Sequence, residues 1–145
     1  MKISTKGRYA LRMLLDLAEH RNDGFIALKD IAERQNISKK YLEQIVALLN
    51  RTDVLSTNRG SQGGYRLAHL PDKYTVGDIL RITEGSISPV ADSDLEHRRH
   101  ENPTATMSSA VWHGLEKVIT EYLDGITLQD IIDKFGDSAR YEYHI

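Results

Sequence analysis

The sequence predicts a mostly α-helical fold carrying one small β-hairpin, and three observations predict it. Apolar residues recur at helical spacing through most of the 145-residue chain. A glycine-rich run between two short β-prone stretches marks a single hairpin over residues 54–67. A broad apolar stripe over residues 104–123 describes one long helix near the C-terminus.

Taken in order, the first helix is expected from about Thr5 to about Glu19, burying Leu11, Leu14, Leu15 and Ala18, with Asn22, Asp23 and Gly24 ending it. Leu28, Ile31 and Ala32 give residues 27–35 one buried face and leave Lys29, Asp30, Glu33 and Arg34 in water. Asn36, Ile37 and Ser38 break that run. The Ser38 hydroxyl suits an N-cap, because it can accept a backbone N–H that the next helix leaves unpaired. In that next helix Leu42, Ile45, Val46 and Leu49 fall at i, i+3, i+4 and i+7 and point inward. Lys39, Lys40, Tyr41, Glu43 and Gln44 are left facing outward. Residues 54–57 and 65–67 read as the two strands, and the loop of residues 58–64 carries Arg59 near its tip and Ser61 beside it.

Helix, turn, helix with basic and polar residues at its start, then a glycine hairpin: this order is that of a winged helix-turn-helix, an expected reader of double-stranded DNA. The first turns of the second helix are where base edges are met in a major groove. A guanidinium on a glycine loop suits a narrow, electronegative minor groove. The alternative is a plain surface hairpin whose glycines serve only the turns. Charge gives an independent test. Residues 1–66 hold twelve Lys plus Arg against seven Asp plus Glu, net +5, whereas residues 67–145 hold seven against fourteen, net −7. Phosphate attraction depends on the local patch within a Debye length of ~8–10 Å, so the total of −2 does not argue against DNA. Lys2, Lys6, Arg8 and Arg12, with Lys39, Lys40, Arg59 and Arg66, supply the candidate patch.

Other classes are excluded or set aside. The chain has no cysteine, which removes disulfides, thiol catalysis and thiolate-held zinc or iron–sulfur sites. No apolar run reaches the roughly 18 residues of a membrane span, and the N-terminus leads into an amphipathic helix rather than a signal peptide, so a cytoplasmic protein is expected. No catalytic motif or cofactor-binding pattern is visible, so neither an enzyme nor a resident cofactor is expected.

Past the hairpin, Thr75 caps a helix to Glu84 with Val76, Ile79, Leu80 and Ile82 inward, and Gly85 stops it. Residues 86–103 form a polar loop in which His97 and His100, among Asp92, Asp94, Glu96 and Glu101, are a candidate divalent-metal or small-molecule gate. The long helix then presents Met107, Ala110, Val111, Trp112, Leu115, Val118, Ile119, Tyr122 and Leu123. A stripe this broad is expected to pack on its own domain with one side and on a symmetry mate with the other, giving a homodimer through Val111, Trp112, Leu115, Val118, Ile119 and Tyr122. Two recognition helices would then sit about one duplex turn, ~34 Å, apart. Gly125 ends the helix, and Thr127 caps a final short one with Leu128, Ile131 and Ile132 inward. The expected organisation is a DNA-binding unit over residues 1–84, a loop over 85–103, and a dimerisation helix with its tail over 104–145.

Residues 1–10, Ile31-Ala32-Glu33, Tyr41-Leu42-Glu43-Gln44, Arg59-Gly60, Gly63-Gly64-Tyr65 and Gly77-Asp78-Ile79 together resemble the Rrf2 family of bacterial winged-helix transcription regulators. The resemblance covers nearly the whole chain. It implies a dimer built through the long helix and operator reading by Ser38, Lys40, Glu43 and Arg59, with Glu43 accepting from a cytosine amino group. Cluster-binding members of the family carry three cysteines before the long helix; the matching positions here hold Asp94, His100 and Thr106. The cysteine-free pattern and the ending Tyr141-Glu142-Tyr143-His144-Ile145 are similar to a branch of cysteine-metabolism repressors. That likeness implies cysteine synthase as a partner, taking Tyr143, His144 and the Ile145 carboxylate into a pocket.

Overall fold

The computed structural model describes residues 2–91 and 103–143, with side chains placed as far as residue 137. Its elements run α1 (Thr5–Glu19), α2 (Leu28–Gln35), α3 (Lys39–Leu49), β1 (Leu55–Asn58), β2 (Gly64–Leu67), α4 (Val76–Glu84), α5 (Pro103–Asp124) and α6 (Leu128–Tyr143), with 3₁₀ turns at Arg21–Asp23 and Pro71–Lys73.

Capping explains most of the boundaries. Ser4 and Ser38 accept the Gly7 and Tyr41 N–H groups with their hydroxyls, both at 3.1 Å, opening α1 and α3. Thr75 and Asp78 form a reciprocal capping box at the start of α4, and Thr127 with Asp130 repeats it at α6, where the two bonds are each 3.0 Å. The α2–α3 turn rests on Asn36, whose φ of 52° is tolerated because a short amide side chain costs little in the left-handed region. That bend drops Ile37 into the core.

Leu14 and Leu17 of α1, Ile31 of α2, and Leu42, Ile45 and Leu49 of α3 form the centre of the main core, which Ile79 of α4 and Leu128 of α6 complete. The buried face of α1 differs from expectation. It is centred on Ala10, Met13, Leu14 and Leu17, while Leu11 and Leu15 are only half-buried, because α2, α3 and α6 all converge on the former side. Leu11 lies between the main core and a smaller cluster of Val76, Leu80 and Ile87 with Leu123 and Ile126.

The hairpin pairs Leu55 with Leu67 and Asn58 with Gly64, so residues 59–63 form its loop. Ile26 adds a third, one-residue strand by exchanging two 2.8 Å hydrogen bonds with Tyr65. Gly64 permits this approach, since a Cβ there would collide with the Ile26 carbonyl and the Ala27 nitrogen. The α5–α6 turn is zipped to the start of α4 by Val76 N–H on the Ile126 carbonyl at 2.9 Å and Leu128 N–H on the Tyr74 carbonyl at 3.0 Å.

One expectation about the C-terminal part needs correcting. The last helix is not short: α6 has 16 residues, because nothing from Leu128 to Tyr143 breaks the helical run apart from the tolerated Gly136. On α5, Ser109 is buried and Ala105, Glu116, Ile119, Thr120 and Leu123 are half-buried, the last three beside α4, whereas Met107 and Tyr122 are 66% and 67% exposed.

Candidate nucleic-acid interface

On α3 the apolar residues Leu42, Ile45, Val46 and Leu49 are all buried, which fixes the rotation of the helix and brings Lys40, Glu43, Gln44 and Ala47 together as one exposed face. Lys39 and Ser38 are exposed at its N-terminal end. There the unpaired N–H groups and the helix dipole favour an anion. Ala47 was not singled out from the sequence, yet its small side chain leaves the middle of that face low enough for another surface to approach.

Tyr41 departs from the expected outward position. It is half-buried, with its ring edge-to-face against Tyr9 at 5.6 Å, because the first turn of α3 lies over α1. Its ring braces the recognition helix rather than standing free. Arg12 crosses the same joint, 5.2 Å over Tyr9, and donates to the Gln35 carbonyl at the end of α2. That carbonyl is one the helix leaves unpaired, so Arg12 is committed to it rather than to the patch.

Between the hairpin and the helices runs an open groove of about 360 Å³, lined by Lys29, Lys39, Asn58, Arg59 and Tyr65 among others. Sequence reasoning assigned Lys39 and Arg59 but left Lys29 as ordinary solvated surface; the fold places all three around one concavity. The only available signal was its place one residue after the start of α2, whose N-terminus faces the hairpin through Ile26 and Ala27. Arg59 is exposed at the loop and Ser61 follows it, also exposed. Gly60, at φ 128°, reverses the chain, and the Gly63 N–H closes on the Gly60 carbonyl at 3.0 Å.

Arg66 does not join this patch. Consecutive strand residues point to opposite faces, and Arg66 lies 4.4 Å over the Phe25 ring on the side away from Tyr65. Lys2 is exposed, two residues before Ser4, whose N–H and hydroxyl both donate to Glu84 at the end of α4. The N-terminal segment is thus held beside the C-terminal end of α4.

An ion pair buried on its Asp16 side holds the two helices in register. Asp16 of α1, 4% exposed, accepts two hydrogen bonds from Arg34 at 2.9 and 2.7 Å and one from the Gln35 amide at 2.9 Å. Hydrogen bonding to Asp16 pushes the Arg34 guanidinium above its ordinary value, against the opposing effect of burial. Arg34, expected to stay in water, is therefore a structural cation.

Of the residues assigned to pairing, Val111, Trp112, Leu115, Val118 and Tyr122 are exposed and Ile119 is half-buried. His144 and Ile145 lie outside the described residues, as do Asp92, Asp94, Glu96, His97, His100 and Glu101 of the loop. Tyr143 is the last residue of α6.

These elements define a winged helix-turn-helix. The sequence matches the Rrf2 family, described as iron-dependent transcriptional regulators, over residues 3–134. It is 39% identical over 146 residues to the HTH-type transcriptional regulator CymR of Bacillus subtilis (strain 168), covering 100% of both chains. With the HTH-type transcriptional regulator IscR of Aliivibrio salmonicida it shares 36% identity over 134 residues, 91% of this chain and 77% of that one. The solved structure of CymR (YrzC), the global cysteine regulator of B. subtilis, superposes with a TM-score of 0.78 at 40% identity, covering 92% of this chain and 97% of that chain. The chain belongs to the Rrf2 family and is a DNA-binding transcriptional regulator.

The family's iron does not fit the donors available here. With no cysteine in the sequence a thiolate-held cluster cannot be assembled, and the Thr106 hydroxyl on α5 is a neutral, weak ligand where a thiolate would be needed.

Proposed function

We propose that the protein is a homodimeric, sequence-specific repressor that reads a near-palindromic operator and governs genes of cysteine and sulfur metabolism. The observation that carries the reading is the joining of one exposed α3 face, Lys40, Glu43 and Gln44, to a groove ringed by Lys29, Lys39 and Arg59. Lys39 and Lys40 neutralise phosphates, Ser38 and the α3 N-terminus orient the helix on the backbone, and Glu43 and Gln44 read base edges in the major groove. Arg59 enters the minor groove, with Ser61 and Lys2 contacting the sugar–phosphate backbone beside it.

Pairing follows from α5. Met107, Val111, Trp112, Leu115, Val118 and Tyr122 leave an apolar band exposed along a 22-residue helix of roughly 33 Å. A soluble monomer rarely exposes a continuous band of this length, and a second α5 covers it by two-fold symmetry. On this reading residues 1–84 form the DNA-binding unit and residues 104–145 carry pairing.

The sulfur assignment rests on likeness to the global cysteine regulator of B. subtilis. Its finer form makes cysteine synthase the partner, engaged by Tyr143, His144 and Ile145. A second reading, a small molecule or metal acting on the 85–103 loop, draws on the Ser4–Glu84 tie, which couples the base of that loop to the N-terminal arm.

Recovery of bound DNA from the source cell, grown with and without cystine, tests the function. Enrichment of a near-palindrome upstream of sulfur-metabolism genes, changed by cystine, is expected. Enrichment that ignores cystine or falls on unrelated genes contradicts the sulfur assignment. An unenriched genome contradicts operator reading itself.

A further inference from the structure

The hairpin has a second basic concavity on its other side. A cavity of about 660 Å³ is lined by Arg21, Arg66, His69, Leu70 and Lys73, with Leu67 and Ala68 between them. Tyr65 and Arg66 are neighbours on β2 and face opposite ways, so the groove with Arg59 and Lys39 lies on one side and this cavity on the other.

Three of its cations lack a counter-charge. Among the described residues the side chains of Arg21, Arg66 and Lys73 make no ion pair or hydrogen bond, while His69 is occupied, its Nε2 lying 3.1 Å from Asp53 Oδ2. The walls are held. The His69 backbone N–H donates to the Tyr74 hydroxyl at 2.9 Å, and that hydroxyl donates to the Val54 carbonyl at 2.8 Å. Arg66 is oriented as well: with Phe25 covering one flat face, its N–H donors remain available in the plane of the guanidinium, the geometry that meets two oxygens of one anion. Uncompensated cations around one concavity repel each other, and an anion with several oxygens relieves this at every one of them.

We propose that this cavity is a second anion site, which takes a phosphate-type oxyanion on the Arg66 fork with Arg21 and Lys73 neutralising it. The oxyanion is either a phosphodiester of the duplex flanking the operator or a free phosphate or sulfate group. The first source rests on the DNA-binding reading above; the second does not.

The test uses the full-length protein, the double variant Arg21→Gln, Lys73→Gln, and separately Arg66→Ala. Fluorescence anisotropy compares an operator duplex trimmed to its core with one extended by about ten base pairs, one turn, at each end. Calorimetry with inorganic phosphate, without DNA, forms the other arm. For a flanking phosphodiester, the wild type prefers the extended duplex by about tenfold. The double variant then loses that preference, its salt slope falls by about 2, and its affinity for the trimmed duplex is unchanged. For a free anion, phosphate binds the wild type and not the variants, at either duplex length. The proposal is overturned when phosphate gives no heat and both duplexes bind wild type and variants alike. If no duplex is bound at all, operator reading fails, and the phosphate arm alone decides this site.

Discussion

Arg34 clamps both carboxylate oxygens of Asp16, at 2.9 and 2.7 Å, across the joint between α1 and α2. Removing one partner of a buried pair leaves the other uncompensated, at about 3–5 kcal/mol. Arg34 retains 37% exposure of its side chain and can turn to water, so Asp16→Ala is expected at the low end, about 3 kcal/mol. Urea unfolding measures it. A loss below about 1 kcal/mol would show that the pair does not hold the helix-turn-helix in place.

Tyr74 ties the hairpin to the segment before α4. Its hydroxyl accepts from His69 N–H and donates to the Val54 carbonyl, and burial raises its pKa above the ordinary tyrosine value. Tyr74→Phe leaves the His69 N–H without its partner and the Val54 carbonyl with the Ala68 N–H alone, and is expected to cost about 1–3 kcal/mol. Thermal unfolding of the variant checks this, an unchanged midpoint counting against the bond pair.

Arg81 and Asp124 join α4 to the end of the long helix through two 2.8 Å bonds. Hydrogen bonding to Arg81 holds the Asp124 carboxyl below its ordinary value. A depressed carboxylate pKa contributes stability that is present above the unfolded value, ~3.9, and lost as pH falls through the folded one. The pair is more than a third exposed, so its contribution at neutral pH is about 0.5–1 kcal/mol. The stability gap between wild type and Asp124→Asn should therefore be present at pH 7 and close below about pH 4. A gap that does not change with pH contradicts the assignment.

Gly64→Ala places a Cβ against the backbone of Ile26 and Ala27, neither of which can rotate aside. The expected result is a loss of about 2 kcal/mol and rapid amide exchange at Ile26 and Tyr65, whose mutual bonds must break. Gly60→Ala meets open space and only a strained φ, at about 1 kcal/mol, with those amides still protected. Equal protection in both variants would contradict the close-approach argument.

Much of this was legible in the residues, for identifiable reasons. The rotation of α3 is set by four apolar residues at strict helical spacing, and the caps at Ser38, Thr75 and Thr127 are local chemistry. The α1 face was misjudged because Leu11 and Leu15 are as apolar as Leu14 and Leu17, and only the converging helices decide between them. Arg34 read as solvated and Arg12 as part of the basic patch, since their pairing joins positions 18 to 23 residues apart. The turning away of Arg66 from Arg59 follows from strand alternation but needed the register, Ser56 opposite Arg66, to locate it. Lys29 carried no signal beyond its place beside the start of α2; its role in the groove arises where α2 meets the hairpin.

The central claim is that the Lys39–Arg59 groove and the adjoining α3 face bind duplex DNA with sequence preference. Its most direct test is the affinity of wild type and Arg59→Ala for operator and scrambled duplexes across a salt series. The account predicts wild-type binding that falls steeply with salt and favours the operator, and an Arg59→Ala protein in which that preference collapses toward the scrambled value. Salt-insensitive binding, or an operator preference untouched by Arg59→Ala, would contradict it.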